Sequence, residues 1–219
     1  MRQILVYGDS LSWGLVPDTR RRLPFAERWP GVLEGVLGGG TSVRVVEDCL
    51  NGRRTVWDDP FKPGRNGLLG LAQRIEAQSP LDLVILMLGT NDFQSMHEHN
   101  AWHASQGIQA LVAVIRTAPI EPGMPVPPIL LIAPPPIGHP RGPIAPKFEG
   151  GDRKCVGLSD AYARVSRDVG CAFFDAGTVV QASPIDGVHL DREQHEQLGR
   201  AVARLVPALL ETPGEGARP

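Results

Sequence analysis

Two short segments of the chain, 81–88 (LDLVILML) and 128–133 (PILLIA), are apolar at nearly every position. A strand with one face in water alternates apolar and polar residues, whereas a strand that is apolar on both faces needs cover on both sides. Such strands are typical of the centre of a parallel sheet with helices on each face. These two segments therefore predict the central strands of a doubly covered sheet.

The rest of the chain alternates short apolar runs with longer amphipathic ones. This alternation predicts βαβ units with right-handed crossovers, which build a doubly wound, three-layer α/β/α sandwich around a five-stranded parallel sheet. The predicted strands are 3–7, 42–47, 81–88, 128–133 and 171–176, and the predicted helices are 29–38, 66–78, 101–118, 156–169 and 191–210.

The composition suits a single domain. The 219 residues are 42% hydrophobic and 21% charged, which is enough for one sizeable core over residues 1–211, followed by a flexible polar tail over 212–219. A net charge of −2 gives no electrostatic reason to expect nucleic acid or an anionic membrane as a partner, and the basic run 19–22 is expected to be a solvated loop. Three cysteines without metal-ligand spacing, no signal peptide and no membrane span predict a soluble, cytoplasmic protein.

Four short polar motifs occur near the ends of predicted strands or just before the last helix. They are GDS (8–10), CLNG (49–52), GTND (89–92) and DGVH (186–189). The carboxyl ends of parallel strands meet at one edge of a sheet, and ligands bind at that edge. The long loop 134–151, rich in proline and glycine, follows the fourth predicted strand and is expected at the same edge.

These motifs hold the residue types that acyl transfer requires. Ser10 would be the nucleophile, His189 its base, and Asp186 the group that orients the base. The backbone N–H groups of Ser10 and Gly52 and the side-chain amide of Asn91 would donate hydrogen bonds to the oxyanion. Ser10 also suits a helix N-cap, and the two roles are compatible.

The chain contains these four motifs in the same order as the SGNH hydrolases, also called the GDSL esterase/lipase family, and it resembles that family. The resemblance extends to about residue 210 and implies a flavodoxin-like fold. It also implies that Ser10, Asp186 and His189 are catalytic and that Ser10, Gly52 and Asn91 form the oxyanion hole. No cofactor is expected.

Within that family the chain is most similar to the arylesterase and acyltransferase branch, through blocks such as YGDSLSWG, RWPGVL, SPLDLVILMLGTND and FFDAG. This resemblance implies cleavage of short acyl esters and, in some members, transfer of acetyl groups to alcohols. Leu15 stands where that branch has a second aromatic residue, and Gly52 stands where it often has alanine. The loop after Pro17 is also shorter.

The predicted partner is a small-molecule ester, and a homo-oligomer is compatible with the sequence. We expect substrate contacts from Leu11, Leu15 and Val188, with apolar help from Ile137 and Phe148. Such a lining would disfavour charged acyl groups, and short loops favour acetyl to butyryl chains over octanoyl. An aryl ester, an acetylated sugar, a thioester and a lipid fragment all remain open as substrates.

Other readings of the sequence are weaker. His99 and His103 would share a helix face, a spacing that zinc can use, and His97 lies nearby. There is no HExxH motif, so no metal site is expected. A small-molecule binding module on a flavodoxin-like fold is the non-enzyme alternative, but the first loop lacks the glycine patterns of phosphate and dinucleotide sites. A carbohydrate O-deacetylase and a thioesterase or lysophospholipase are the alternatives within the family.

Overall fold

The computed structural model describes residues 1–38 and 41–211, and the predicted tail over 212–219 lies outside them. Within these residues five strands form one sheet in which all neighbouring strands are parallel. The strand order is that of flavodoxin-like folds, so the predicted fold class is confirmed. The strands, in chain order, are β1 (Arg2–Gly8), β2 (Val43–Cys49), β3 (Leu83–Met87), β4 (Ile129–Ala133) and β5 (Ala172–Asp175), and across the sheet they lie in the order β2-β1-β3-β4-β5.

Helices cover both faces of the sheet. Those of the described residues are α1 (Ser10–Trp13), α2 (Trp29–Val36), α3 (Leu71–Gln78), α4 (Ala101–Thr117), α5 (Ala145–Phe148), α6 (Gly151–Lys154), α7 (Leu158–Val169) and α8 (Arg192–Glu211). One core cluster joins α2 and α8 to the sheet, and the other joins α3, α4 and α7 to it. Every residue of β3 and β4 is buried, as expected for central strands covered on both sides.

The predicted elements match the structure to within two residues at each end, except for the start of the predicted helix 66–78. The helix predicted over 66–78 begins only at Leu71, because Gly70 adopts a left-handed conformation with φ +74° and residues before it form turns. The last predicted strand, 171–176, shortens to β5, which lies at the edge of the sheet and is only partly buried. Edge strands lack the second neighbour that would extend and cover them.

The long loop 134–151 is ordered by short helical segments and by the loop that carries Asp186. It contains a 3₁₀ turn at Gly142–Ile144 and α5. The N–H of Gly138 donates to the carbonyl of Gly187 at 2.8 Å, and the N–H of Arg141 donates to the carbonyl of Asp186 at 3.0 Å. Two loops that are distant in sequence are thus joined at the carboxyl edge of the sheet.

None of the helices within residues 1–38 and 41–211 has both the length and the apolar character that crossing a membrane requires.

Candidate active site

The GDS and DGVH motifs meet at the carboxyl edge of the sheet. The Nε2 atom of His189 lies 3.1 Å from Oγ of Ser10, and its Nδ1 atom lies 2.6 Å from Oδ2 of Asp186. All three residues are buried and line one pocket. A histidine held between a hydroxyl and a carboxylate in this way can take the proton of the hydroxyl.

Ser10 occupies the first position of α1, and only Asp9 separates it from the end of β1. The N-cap of this helix is Asp9, whose carboxylate accepts a hydrogen bond from the N–H of Leu11 at 2.9 Å. The expectation that Ser10 itself caps the helix is therefore wrong. Because Asp9 fills the capping position, the hydroxyl of Ser10 has no capping role and faces His189.

The loop that carries Asp186 holds its carboxylate with several hydrogen bonds. Its Oδ1 atom accepts from the N–H groups of Val188 at 2.8 Å and His189 at 2.9 Å. Burial raises the pKa of Asp186, but its hydrogen bonds with His189 and Val188 and the charge of His189 outweigh burial and leave the pKa below its ordinary value. The carboxylate is therefore ionised at neutral pH and can stabilise a protonated imidazole.

Gly187 makes the tight turn between Asp186 and His189 possible. It has φ +76°, and a Cβ atom added there would lie 2.2 Å from the carbonyl oxygen of His139. Residues with a side chain rarely adopt this conformation, and here no side chain would have room. Glycine at this position lets one short loop present both the acid and the base.

Three candidate oxyanion donors line the same pocket. The backbone N–H groups of Ser10 and Gly52 have no hydrogen-bond acceptor among the described residues. The side-chain nitrogen of Asn91 donates one hydrogen bond to Oδ2 of Asp9 at 3.0 Å and keeps its second N–H for another acceptor. Free donors that converge on one pocket can bind a negatively charged oxygen. We call Ser10, Gly52, Asn91, Asp186 and His189 the pocket floor.

A series of hydrogen bonds between buried polar side chains holds the amide of Asn91 in place. The amide nitrogen of Gln94 donates to Oδ1 of Asn91 at 2.7 Å, and the amide oxygen of Gln94 accepts from the guanidinium of Arg54. Arg54 is completely buried and pairs with Asp59 at 2.9 Å. Because Gln94 engages the oxygen of Asn91, the nitrogen of that amide is directed toward Asp9 and the pocket.

Sequence reasoning missed this chain of contacts. A signal was present, since Arg54 stands two residues after Gly52 and Gln94 stands three residues after Asn91. Charged or amide side chains so close to candidate oxyanion donors are well placed to orient them. Nothing in the local pattern, however, shows that Arg54 and Gln94 come together.

Two further carboxyl groups are buried beneath the pocket floor. Burial raises the pKa of Asp9 to about 6, against the opposing hydrogen bonds from Leu11 and Asn91 and the charge of His189. Burial also raises the pKa of Asp92 to about 7. Asp92 accepts hydrogen bonds from the N–H of Thr55 at 2.9 Å and from its hydroxyl at 2.5 Å. Both carboxyl groups therefore change charge in the range from weakly acidic to neutral pH.

The pocket above the floor has a volume of about 410 Å³. Leu15 and Phe148 lie on its wall, as predicted, together with Ile144. Leu11 and Val188 are not among its lining residues, and both pack in the core clusters.

This part of the sequence-based prediction needs correction. Leu11 and Val188 are the chain neighbours of Ser10 and His189, and neighbouring side chains of a tight turn point in different directions. Ile137, also expected to contribute to the wall, is buried in the core as well.

Three cations line the pocket, and we call them the pocket rim: Arg20 and Lys62, which are exposed, and Lys147, which is partly buried. The sequence predicted an apolar pocket and placed Arg20 in a solvated loop. Arg20 is indeed exposed, yet it lines the pocket. The wall of the site is thus mixed, with apolar and charged parts.

The histidines of segment 97–103 do not share a helix face. His103 lies in the first turn of α4, where its ring contacts the N-cap residue Asn100, whereas His97 and His99 precede the helix. The ring of His99 stacks on that of His97, with centroids 4.7 Å apart, and on Trp57, with centroids 4.1 Å apart. In the part of the chain that the structure describes, no group of three His, Cys, Asp or Glu side chains is arranged to hold a metal ion.

Comparisons with known proteins find a matching family model and similar solved structures. The model of the GDSL-like Lipase/Acylhydrolase family matches residues 6–197. The chain is similar to the crystal structure of Est24, a carbohydrate acetylesterase from Sinorhizobium meliloti, with 35% identity and a TM-score of 0.90 over 95% of this chain and 100% of that one. The native aryl esterase of M. smegmatis gives 35% identity, a TM-score of 0.90 and the same coverage. No curated protein sequence is a significant match.

The family match covers most of the chain, and solved relatives share more than a third of its residues over nearly its whole length. The resemblance that the sequence motifs indicated is thereby confirmed. The chain belongs to the GDSL-like lipase/acylhydrolase family, the SGNH hydrolases, and is a carboxylic ester hydrolase.

Proposed function

We propose that this enzyme hydrolyses short-chain, acetyl-type esters through an acyl-enzyme on Ser10. The observation that carries the proposal is the position of His189, 3.1 Å from the hydroxyl of Ser10 and 2.6 Å from the carboxylate of Asp186, at the base of a pocket of about 410 Å³. The names of two similar structures, a carbohydrate acetylesterase and an aryl esterase, support an acetyl-type ester.

In the first half of the reaction, Oγ of Ser10 attacks the carbonyl carbon of the ester while Nε2 of His189 takes the hydroxyl proton. The electron pair of the carbonyl double bond moves to oxygen, which becomes the oxyanion. Asp186 stabilises the imidazolium that forms. Loss of one oxyanion donor typically raises the barrier by about 2.7–4 kcal/mol.

The oxyanion would accept hydrogen bonds from the N–H groups of Ser10 and Gly52 and from the amide of Asn91. When the carbonyl re-forms, the bond to the alcohol oxygen breaks and His189 returns the proton to that oxygen. Water then attacks the acyl-enzyme, and His189 acts as base a second time. The products are the free acid and the alcohol, and Ser10 is restored.

We further propose a preference for acetyl to butyryl groups, and acyl transfer to small alcohols as a side reaction. A pocket of about 410 Å³ lies at the low end of the usual range for small-molecule sites and must hold both parts of the ester. Leu15, Ile144 and Phe148 offer an apolar surface for an alcohol, but the charged rim admits water. Benzyl acetate should therefore form from vinyl acetate and benzyl alcohol beside acetic acid. If chromatography shows acetic acid and no benzyl acetate, the proposed acyl transfer is wrong.

A carbohydrate O-deacetylase is the second candidate. Asn51 lines the pocket, and its buried side-chain oxygen has no hydrogen-bond donor among the described residues. A sugar hydroxyl could supply that donor. A higher kcat/KM for an O-acetylated monosaccharide than for phenyl acetate, lost in Asn51→Ala, would favour this candidate.

We propose that the enzyme works in the cytoplasm. Cys49, Cys155 and Cys171 are all free. Burial raises the pKa of each of these thiols, so little reactive thiolate is present at neutral pH. A reducing compartment suits a chain with these unpaired thiols.

The decisive experiment is a panel of p-nitrophenyl esters from acetyl to octanoyl, run on the wild type and on Ser10→Ala. Ser12→Ala is the matched control, because Ser12 lies in the same helix but its hydroxyl contacts the indole of Trp29 instead of His189. We expect hydrolysis of the short esters by the wild type and Ser12→Ala only. A folded Ser10→Ala with near-normal rates would overturn the proposed function.

A further inference from the structure

The pocket rim gathers cations from three separate segments. Arg20 comes from the loop after α1, Lys62 from the connection between β2 and α3, and Lys147 from α5. None of these three side chains forms an ion pair or donates a hydrogen bond within residues 1–38 and 41–211. Their charges are therefore available to a molecule in the pocket.

The rim cations are close enough to act on one another. Burial lowers the pKa of Lys147, and the charges of Arg54, Lys62 and Arg20 lower it further, while Asp59 opposes them. Burial lowers the pKa of Lys62 as well, and the charges of Arg65 and Arg20 lower it further, while the charge of Asp59 opposes them. A cleft lined by charges of one sign concentrates ions of the opposite sign. An anion in the pocket would relieve the repulsion.

No carboxylate among the described residues forms an ion pair with a rim cation. Asp186 is bound to His189, and Asp59 is paired with Arg54. Of the pocket-lining residues, only Asp18 among the described ones adds another carboxylate, against three cations. The whole chain carries a net charge of −2, so this positive patch is a local feature and not a reflection of overall composition.

We propose that the preferred substrate is an ester with an anionic group, a carboxylate or a phosphate, which the pocket rim binds while Ser10 attacks the ester carbonyl. Guanidinium and ammonium groups form charge-assisted hydrogen bonds with both kinds of anion. The inference rests on the proposed esterase function and narrows its substrate class. It also replaces the sequence-based expectation that the pocket disfavours charged acyl groups.

The anionic group can belong to the acyl part or to the alcohol part of the ester, and two pairs of substrates distinguish these cases. For the acyl part, p-nitrophenyl hydrogen succinate is compared with p-nitrophenyl butyrate. For the alcohol part, 4-acetoxybenzoate is compared with its methyl ester. The quantity measured is the ratio of kcat/KM for the charged ester to that for the neutral ester, so that variants are compared on the same chemistry.

The variants are Lys62→Gln, Lys147→Gln and the triple variant that also carries Arg20→Gln. Arg21→Gln is the matched control, because Arg21 is the exposed neighbour of Arg20 but does not line the pocket. In one substrate pair we expect the ratio to fall about 3- to 10-fold for each rim cation removed. The wild-type ratio should also fall as NaCl is raised from about 0.05 to about 0.5 M. Arg21→Gln should keep the wild-type ratio.

An equal ratio in the wild type and the triple variant, in both substrate pairs, would overturn the inference. That result would leave the proposed function intact as long as Ser10-dependent hydrolysis of the neutral esters is observed. Absence of that hydrolysis in the wild type would instead contradict the proposed function itself.

Discussion

The pocket floor and the pocket rim lie within one pocket, yet they are held in opposite ways. The side chains of the floor are buried, and each of those of Asn91, Asp186 and His189 has hydrogen-bond partners in the protein. The rim side chains come from connecting segments and have no such partners among the described residues. Under the proposed function the fixed geometry of the floor determines the reaction, and we infer that the rim selects substrates through charge.

Experiments can test this contrast, because substitutions in the floor and in the rim should change the kinetic constants in different ways. Substitutions of the floor side chains Ser10, Asn91, Asp186 and His189 should lower kcat by orders of magnitude for every ester. Substitutions in the rim should change kcat/KM by small factors and only for charged esters. A floor variant that acts selectively on one ester class would erase the distinction.

The largest effect is expected for the side chains of Ser10 and His189. Ser10→Ala and His189→Ala should each lower kcat for p-nitrophenyl acetate by about 10⁴-fold or more, because the two act as one unit. For the same reason the double variant should lose no more than either single variant. Losses that add up in the double variant would mean independent roles. Circular dichroism and thermal unfolding check that each variant is folded.

The proposed oxyanion donor Asn91 comes next. Asn91→Ala should lower kcat by about 10²–10³-fold with little change in KM, because its hydrogen bond strengthens as charge develops on the carbonyl oxygen. Gln94→Met removes the hydrogen bond that fixes the amide of Asn91 and should give a smaller loss, again in kcat. An effect on KM alone would make Asn91 a residue that positions the substrate.

The buried carboxyl group of Asp92 gives a prediction about stability. Its pKa is about 7 in the folded protein, against an ordinary value of 3.8. Between these values the folded state holds a proton that the unfolded state has released, so the free energy of unfolding falls as pH rises through this window. The slope for one such group is at most about 1.4 kcal/mol per pH unit. Asp9 adds the same trend up to about pH 6.

Asp92→Asn should flatten this dependence, and urea unfolding at about pH 5 and about pH 8 measures it. Asp58→Asn is the control, since Asp58 is exposed and lies three residues after Thr55, the hydrogen-bond partner of Asp92. If Asp92→Asn and the wild type lose equal stability between these pH values, Asp92 does not titrate in the predicted window. Rim substitutions should leave the dependence unchanged.

The smallest effect is expected at Gly52. It has φ +84°, and the nearest atom to an added Cβ is Cγ of Arg65 at 3.9 Å, so alanine has room but adopts an unfavourable conformation. Gly52→Ala should lower the free energy of unfolding by about 1–2 kcal/mol and keep most of the activity, because the N–H remains. Gly187→Ala is the contrasting variant, because its Cβ would meet the backbone of His139. If the two variants lose the same free energy of unfolding, the backbone conformation alone determines the loss, and the space for a Cβ atom does not.

The sequence predicted the fold, and it predicted for a physical reason that the polar motifs lie close together. Strands that are apolar on both faces require a covered parallel sheet, and the ends of parallel strands meet at one edge. The polar residues that follow β1, β2 and β3 were therefore expected near each other. The structure indeed places Ser10, Gly52 and Asn91 around one pocket.

The composition of the pocket wall could not be predicted, because it depends on side-chain directions and distances that a linear sequence pattern does not contain. Leu11 and Val188 adjoin Ser10 and His189 in sequence but point into the core. Arg20 and Lys147 are separated by more than half of the chain, and nothing in their local sequence indicates that they line one pocket. Charged residues in connecting loops are expected to face solvent. Only the folded structure shows which of these loops lie close together.

The two hydrogen bonds between loop 134–151 and the turn at Asp186 have a consequence for redesign. Gly138 and Arg141 are tethered to Gly187 and Asp186, and the same long loop carries Lys147 and Phe148 to the pocket wall. Inserting or deleting residues in this loop would transmit strain to Asp186, the proposed catalytic acid, so a gain in substrate range would come with a loss of turnover. Among the described residues, the segment that contributes Lys62 forms no such hydrogen bond with the loop of Asp186, and is the safer place to graft new specificity.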